Sequence, residues 1–250
     1  MSVNANIRQV VVLAGGRGER LRPLTDNLPK PMVPVNGVPF LDYLIESIRL
    51  NKIEKILFLL GYKSDQVIQR YGVEVGGMKV EYSVGDVNDQ TGKRLQEAYS
   101  KLDENFLLIY GDTFWPFEIG PMIESYNRNE TKVSMTVFTN TEGTGEYGFE
   151  NNVCVAWNGL VQLYDPSRSN SNNNGMDIGY FIVDKTVIPE NDNSNFSFQE
   201  DLLPLLIQKK DVNSFLTDEQ YYYITSVGNL SKFQKIVLEK EFQPVSFVNQ

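Results

Sequence analysis

An apolar run, Val10 to Leu13, leads without a break into Ala14-Gly15-Gly16-Arg17-Gly18-Glu19-Arg20-Leu21-Arg22-Pro23-Leu24-Thr25, and Leu28-Pro29-Lys30-Pro31-Met32 follows. This junction constrains the fold more than any other stretch. The apolar run predicts a buried strand. Gly15, Gly16 and Gly18 let the backbone pass close to a ligand and turn its N–H groups towards it. Arg17, Arg20, Arg22 and Lys30 crowd positive charge onto a chain whose formal net charge is −9. Amides and guanidinium groups together suit a polyphosphate. Spacing excludes two common phosphate loops. A dinucleotide fingerprint needs a third glycine where Leu21 stands, and no Gly-Lys-Ser/Thr follows as a Walker A loop requires.

The acidic balance argues against nucleic acid or an anionic membrane as the main partner, so the local basic cluster predicts a small anionic ligand. The single cysteine, Cys154, permits no disulfide within the chain and fits a reducing compartment, so a cytoplasmic location is expected. No apolar run approaches the length of a membrane span, and Met1 to Arg8 is polar, so neither a transmembrane helix nor a signal peptide is expected. There is no histidine. Ser-His-Asp and Cys-His catalysis, histidine zinc sites and histidine bases are thereby excluded. Chemistry must run on carboxylates, Lys, Arg, backbone amides and, where a metal takes part, an oxygen-liganded ion such as Mg²⁺.

With 250 residues and 41% hydrophobic content, the chain supports one sizeable core, and length does not demand a second domain. The first half alternates. Strands are predicted at Val10–Ala14, Lys55–Leu60, Lys79–Val84 and Phe106–Tyr110. Helices are predicted over Leu41, Leu44, Ile45 and Ile48 after Pro39, from Ser64-Asp65 through Tyr71, and over Lys93 to Leu102. Such alternation predicts an α/β fold: a doubly wound, mostly parallel sheet with helices on both faces. Ligands then bind at the carboxyl ends of the strands, where the glycine loop and Gly111-Asp112 both fall. The second half is richer in strands, at Lys132–Thr139, Val153–Trp157, Leu160–Tyr164, Ile178–Val183 and Val212–Thr217, so the sheet is expected to be mixed. Asn158-Gly159 predicts a hairpin. Ser167 to Gly175 reads as a polar loop. Helices are expected over Gln199 to Lys210, disturbed at Pro204, and over Leu230 to Lys240. The tail, Glu241 to Gln250, is expected to be loosely held.

Ala-Gly-Gly-x-Gly-x-Arg-Leu-x-Pro-Leu-Thr followed by Pro-Lys-Pro-Met resembles the signature of the sugar-1-phosphate nucleotidyltransferases, and the resemblance spans about residues 8–240. Those enzymes join a sugar 1-phosphate to a nucleoside triphosphate, releasing pyrophosphate. The resemblance implies a Rossmann-like nucleotidyltransferase fold in one domain over 1–250. Residues 8–115 would form the nucleotide-binding half and 116–240 a strand-rich sugar-phosphate half, with 241–250 as tail. It implies that Leu13, Ala14, Gly15, Gly16 and Gly18 wrap the triphosphate, that Arg20 and Lys30 hold its phosphates, and that Asp112 binds Mg²⁺. A second metal aspartate is usual before a Gly-[Ser/Thr]-Pro turn; here Tyr223-Ile224-Thr225-Ser226-Val227-Gly228-Asn229 has none. Thr91-Gly92 match part of the family's base-reading loop. Tyr147-Gly148, Asp165 and Arg168, and Asp177 fall where the family binds the sugar phosphate. A homodimer is implied only by this resemblance.

Gly-Asp-Val-x-Asp-x-Thr-Gly, Gly-Glu-Tyr-Gly, Tyr-Asp-x-Ser-Arg and Asp-Ile-Gly-Tyr-Phe look like the D-glycero-D-manno-heptose 1-phosphate guanylyltransferase branch. The resemblance thus implies GTP and a heptose 1-phosphate as substrates, for capsule or surface polysaccharide. Two alternatives stay open. One is a glucose 1-phosphate thymidylyl- or cytidylyltransferase. The other is a non-catalytic homologue that senses nucleotide-sugars, favoured by the missing aspartate.

Overall fold

The structure is a computed structural model and describes residues 5–190 and 194–246. Its centre is an eight-stranded sheet. The strands are β1 (Gln9–Leu13), β2 (Lys55–Leu60), β3 (Glu74–Val75), β4 (Met78–Val84), β5 (Asn105–Tyr110), β6 (Val133–Phe138), β7 (Met176–Asp184) and β8 (Val212–Thr217). They lie in the order β8-β6-β7-β5-β1-β2-β4-β3. Pairings β1–β2, β1–β5, β2–β4 and β6–β8 are parallel. β7 is antiparallel to both β5 and β6, and β3 to β4. The sheet is mixed, and strands from both halves of the chain share it.

Burial on both faces explains the strand sequences. Val10 and Val12 of β1 face one core cluster, with Ile56, Phe58, Leu107 and Ile109. Val11 and Leu13 face the other, with Leu57, Leu59, Phe106 and Leu108. Parallel strands covered on both faces become continuous apolar runs in this way. The first face is covered by α1 (Phe40–Leu50), α2 (Ser64–Tyr71) and α4 (Ile119–Arg128), through Leu41, Leu44, Val67, Tyr71, Met122 and Tyr126. The second is covered by α3 (Thr91–Glu97) and α5 (Leu203–Gln208), through Leu95, Leu203 and Leu206. This is the doubly wound arrangement expected from the alternation.

Several elements differ from expectation. α3 starts at Thr91, because the N–H groups of Gly92 and Lys93 are taken by the Phe196 carbonyl, and it gives way to a 3₁₀ turn at Tyr99–Lys101. α4 was hidden by its own Gly120-Pro121. Pro121 sits in the first turn, where its missing N–H is not needed. The disturbance at Pro204 is a π turn over Phe198–Leu202, capped by Ser197, with Pro204 in the first turn of α5. The hairpin pairs shortened strands Val153–Val155 and Val161–Tyr164. Its turn closes through Gly159 N–H to the Ala156 carbonyl at 2.9 Å.

The tail is a correction. Phe242 packs its ring 4.9 Å from that of Phe114. Val245 is buried and donates its N–H to the Asp42 carbonyl at 3.0 Å. Residues 247–250 lie outside the described residues. Apolar side chains at Phe242 and Val245 give this segment surface to bury, which outweighs its position near the end of the sequence.

A third cluster joins α1 to α6 (Val227–Glu239), with Phe233 touching Phe40, Tyr43, Phe114 and Tyr222. Phe233 is 1% exposed. Phe233→Ala is expected to cost about 3–5 kcal/mol, measured as a lower urea midpoint with an unchanged slope.

Candidate active site

β1, β2, β4, β5, β6 and β8 all point their carboxyl ends to one edge. β7 runs the other way, so its first residues, Met176 and Asp177, meet that edge too, paired with Phe138 and Val137. A cavity of about 520 Å³ opens there. Its wall includes Leu13, Ala14, Gly15, Gly16, Gly18, Arg20, Lys30, Thr91 and Asp112 from the sequence expectation. That volume suits a ligand of nucleotide size.

The loop after β1 is held by close contacts. Gly18 has φ +64°, and a Cβ there would lie 2.9 Å from Lys30 Cβ. Thr25 Oγ1 donates to the Gly18 carbonyl at 2.9 Å. A Cβ on Gly15 would lie 2.4 Å from Arg94 Cζ. Both positions require glycine for lack of space, and Gly18 also for its left-handed backbone.

Lys30 and Asp112 form an ion pair, Nζ to Oδ2 at 2.5 Å. Burial favours the neutral form of Asp112. The Lys30 charge and hydrogen bond, a backbone N–H and the Arg20 charge outweigh it and hold the carboxyl below its ordinary value. Asp112 is thus an anion beside two cations. The backbone N–H of Ile224 donates to the Asp112 carbonyl at 3.0 Å, which brings Thr225 to the cavity wall. Thr225 occupies the region where the sequence lacks an aspartate. Its hydroxyl donates to Glu146 Oε1 at 2.6 Å and accepts from Asn229 Nδ2 at 2.8 Å.

The wall also holds Arg94 and Tyr110, which were not expected there, and Asp89, from the segment of the base-reading resemblance. Arg94 is 5% exposed. It donates Nη1 to the Leu60 carbonyl at 2.6 Å and Nη2 to the Asp86 carbonyl at 2.7 Å. Burial lowers its pKa, while the charges of Asp89, Glu97 and Asp86 act the other way. The Tyr110 hydroxyl is buried beside Thr91, and burial, reinforced by Asp177, pushes it far above its ordinary value although the Thr91 hydroxyl opposes the shift. It stays protonated and able to donate. An arginine beside Leu95 on the buried side of a helix, and a tyrosine just before Gly111-Asp112, were the available signals.

The remaining expected residues separate into two groups. Gly92 does not line the cavity; a Cβ there would lie 2.2 Å from Phe196. Asp165 accepts from the Ser167 hydroxyl, Asn170 N–H, Asn173 Nδ2 and Ser167 N–H, which hold its carboxyl down to about 2. It shapes its own loop. Tyr147, Gly148, Arg168 and Asp177 lie outside this cavity. Arg168 and Tyr147 stack, Cζ 3.8 Å from the ring centroid, and Gly148 follows that tyrosine. Asp177 accepts from Gly179 N–H at 2.8 Å and from Gln199 Nε2. Burial pushes its carboxyl up to about 6, although those bonds and the Arg168 charge oppose the shift. Gly179, with φ +79° opposite Tyr110, brings Asp177 and the Tyr110 hydroxyl into electrostatic contact. No helix among the described residues is long and apolar enough to cross a membrane.

The family model for nucleotidyl transferase matches residues 9–236. The chain is 26% identical over 230 residues to the D-glycero-alpha-D-manno-heptose 1-phosphate guanylyltransferase of Aneurinibacillus thermoaerophilus, covering 91% of this chain and 97% of that one. HddC from Yersinia pseudotuberculosis, crystallised with GMP-PN, superposes with a TM-score of 0.74 at 24% identity, over 92% and 99% of the two chains. A UDP-glucose pyrophosphorylase from Acinetobacter baumanii gives a TM-score of 0.75 at 16% identity, over 94% and 100%. The two structures share the fold.

Because Asp177 has a raised pKa, its folded form carries an extra proton between about pH 4 and 6, and the ionised form burdens the native state above that window. Asp177→Asn is expected to stabilise the chain by about 1–3 kcal/mol at pH 8 and by little at pH 4, compared by urea unfolding at the two pH values.

Proposed function

The chain belongs to the nucleotidyl transferase family, as a sugar-1-phosphate nucleotidyltransferase, and from that premise we propose that it joins GTP to D-glycero-D-manno-heptose 1-phosphate, giving a GDP-heptose and pyrophosphate. The observation that carries the reading is the Lys30–Asp112 pair set beside Arg20 and the glycine loop in one cavity. The guanylyl and heptose assignments rest on the full-length relative from A. thermoaerophilus, whose name carries both.

The reaction suits a chain without histidine. A phosphate oxygen of the sugar 1-phosphate attacks the α-phosphorus of the triphosphate. The bond from that phosphorus to the bridging oxygen breaks, and pyrophosphate leaves with the electron pair. The nucleophile arrives ionised, so no general base is needed. The protein must hold two mutually repelling anions in line and offset their charge. Loop amides and Arg20 bind the triphosphate, and Lys30 sits beside the transferring group. Asp177 accepts hydrogen bonds from sugar hydroxyls, and Arg168, stacked on Tyr147, meets the incoming phosphate. The Tyr110 hydroxyl donates between the two substrates.

The donor set also fits Mg²⁺. Asp112 is held ionised on the cavity wall, and Mg²⁺ is commonly bound by one or two carboxylates with water and substrate phosphates completing its shell. Among the described residues no group of three or more acidic, cysteine or histidine side chains could hold a metal, so phosphates and water would supply the other ligands. When bound, the ion adds charge neutralisation at the phosphates.

Pyrophosphate release, measured with each common triphosphate against a panel of sugar 1-phosphates with and without EDTA, tests this. Metal-dependent product with GTP and the heptose phosphate is expected. Product with UTP or dTTP and glucose 1-phosphate instead overturns the substrate assignment. Nucleotide binding with no product from any pair favours a sensor. Lys30→Ala and Arg20→Ala should each lower kcat/KM by roughly 10²-fold or more; near-normal turnover in both removes their proposed roles.

A further inference from the structure

One short segment touches both the nucleotide wall and the carboxylate of Asp177. It begins at Asn195, whose Oδ1 accepts from Gln90 N–H at 2.7 Å. The Phe196 carbonyl accepts from Gly92 and Lys93 N–H at 3.0 and 3.1 Å. Phe198 N–H donates to Thr91 Oγ1 at 2.9 Å. Gln90, Thr91 and Ser197 all line the cavity. The segment is thereby pinned to the start of α3. The next residue, Gln199, donates Nε2 to Asp177 Oδ2. It sits in the π turn over Phe198–Leu202, a backbone form that recurs at functional sites. Gln199 and Asp177 are each half-buried, so a substrate can reach the pair from solvent.

A carboxylate only accepts, so the Gln199 amide must turn its nitrogen to Asp177 and its oxygen away. Each oxygen of Asp177 then has one donor from the protein: Gly179 N–H on Oδ1 and Gln199 Nε2 on Oδ2. The Gly179 donor comes from β7 itself, two residues on. Gln199 is the donor brought from another element. Together they fix the plane of the carboxylate and leave the remaining lone pairs for a ligand. Both bonds also favour the ionised form against burial, and only that form accepts at both oxygens.

We propose that Gln199 is a positioning residue for the sugar substrate: anchored to the nucleotide wall through its own segment, it aims the Asp177 carboxylate at the sugar hydroxyls. This rests on the sugar-phosphate reading above. The residue type follows from the geometry. A glutamate at this place would set two carboxylates against each other. An apolar side chain would leave Oδ2 without its donor. The span from the nucleotide wall to the sugar acceptor is thus set by one stretch of chain and not by two independent loops.

Calorimetry tests this without turnover. The chain is saturated with the α,β-imido analogue of GTP, which cannot release pyrophosphate, and titrated with heptose 1-phosphate and with glucose 1-phosphate. Gln199→Leu and Gln199→Glu should each weaken sugar-phosphate binding by about tenfold or more, while affinity for the analogue stays within about twofold of wild type. The exchange variant Gln199→Glu with Asp177→Asn rebuilds the bond with donor and acceptor reversed. It should regain at least about fivefold over Gln199→Glu alone, a recovery that damaged folding cannot mimic. Unchanged sugar-phosphate affinity in both single variants overturns the proposal and leaves the transfer reading standing. Equal losses of nucleotide and sugar-phosphate affinity, or no recovery in the exchange variant, overturn it as well. A wild-type chain that binds the analogue but neither sugar phosphate overturns both this proposal and the sugar reading. Gln199-dependent sugar-phosphate binding with no transfer from any triphosphate upholds the proposal and sinks the transfer reading.

Discussion

One buried guanidinium ties together the loops at the ends of three neighbouring strands. Arg94 donates to the carbonyl that ends β2 and to the Asp86 carbonyl beyond β4, and its planar head packs where a side chain on Gly15 beyond β1 would be. A lysine could not span those two carbonyls with fixed geometry, because its single nitrogen sits on a flexible stem. Fixing the three loops in this way costs desolvation of a cation. Asp89, Glu97 and Asp86 offset part of that with opposite charge. The glycine loop is consequently a preorganised surface before any ligand arrives, which is the condition for electrostatic stabilisation to act at full strength.

Charge, more than shape, organises the rest of the site. Lys30, Arg20 and the ionised Asp112 form a compact alternating cluster near β5, while Asp177 and Arg168 form a second beyond it. Between them stands Tyr110, a neutral donor that burial keeps protonated. An acidic chain presenting these cations at one edge draws anionic substrates to that edge and not to its surface at large.

Much of this was legible in the sequence. Strand-helix alternation predicts the doubly wound sheet because each apolar run must be covered on both faces. The glycine loop, Lys30 and Asp112 were readable because their spacing and place at strand ends are local properties. Arg94 was not, since a charged residue on a covered helix face acquires meaning only once Leu60, Gly15 and Asp86 surround it. Asp165 shows the reverse error: its place in the motif suggested a ligand contact, whereas Ser167, Asn170 and Asn173 already satisfy it. The tail was misjudged because position near the end of a sequence was weighed above the apolar side chains of Phe242 and Val245.

The reversed direction of β7 has a consequence for how such a chain can diverge. Tyr180 pairs with Ile109 and Asp184 with Asn105, so the separation of Asp177 from Asp112 is set by the register of two hydrogen-bonded strands within one sheet. Inserting or deleting a single residue in either strand would turn every following side chain to the opposite face. The segment from Ser167 to Gly175 lies outside that ladder, held instead by side-chain bonds of Asn170, Asn173 and Asn174 to Asp165, Asn151 and Val155 and by the Gly175 pairing with Val153. Length variation among descendants of this chain should therefore collect in that loop. The sugar acceptor could then change over evolutionary time while the spacing between the two carboxylates stays constant.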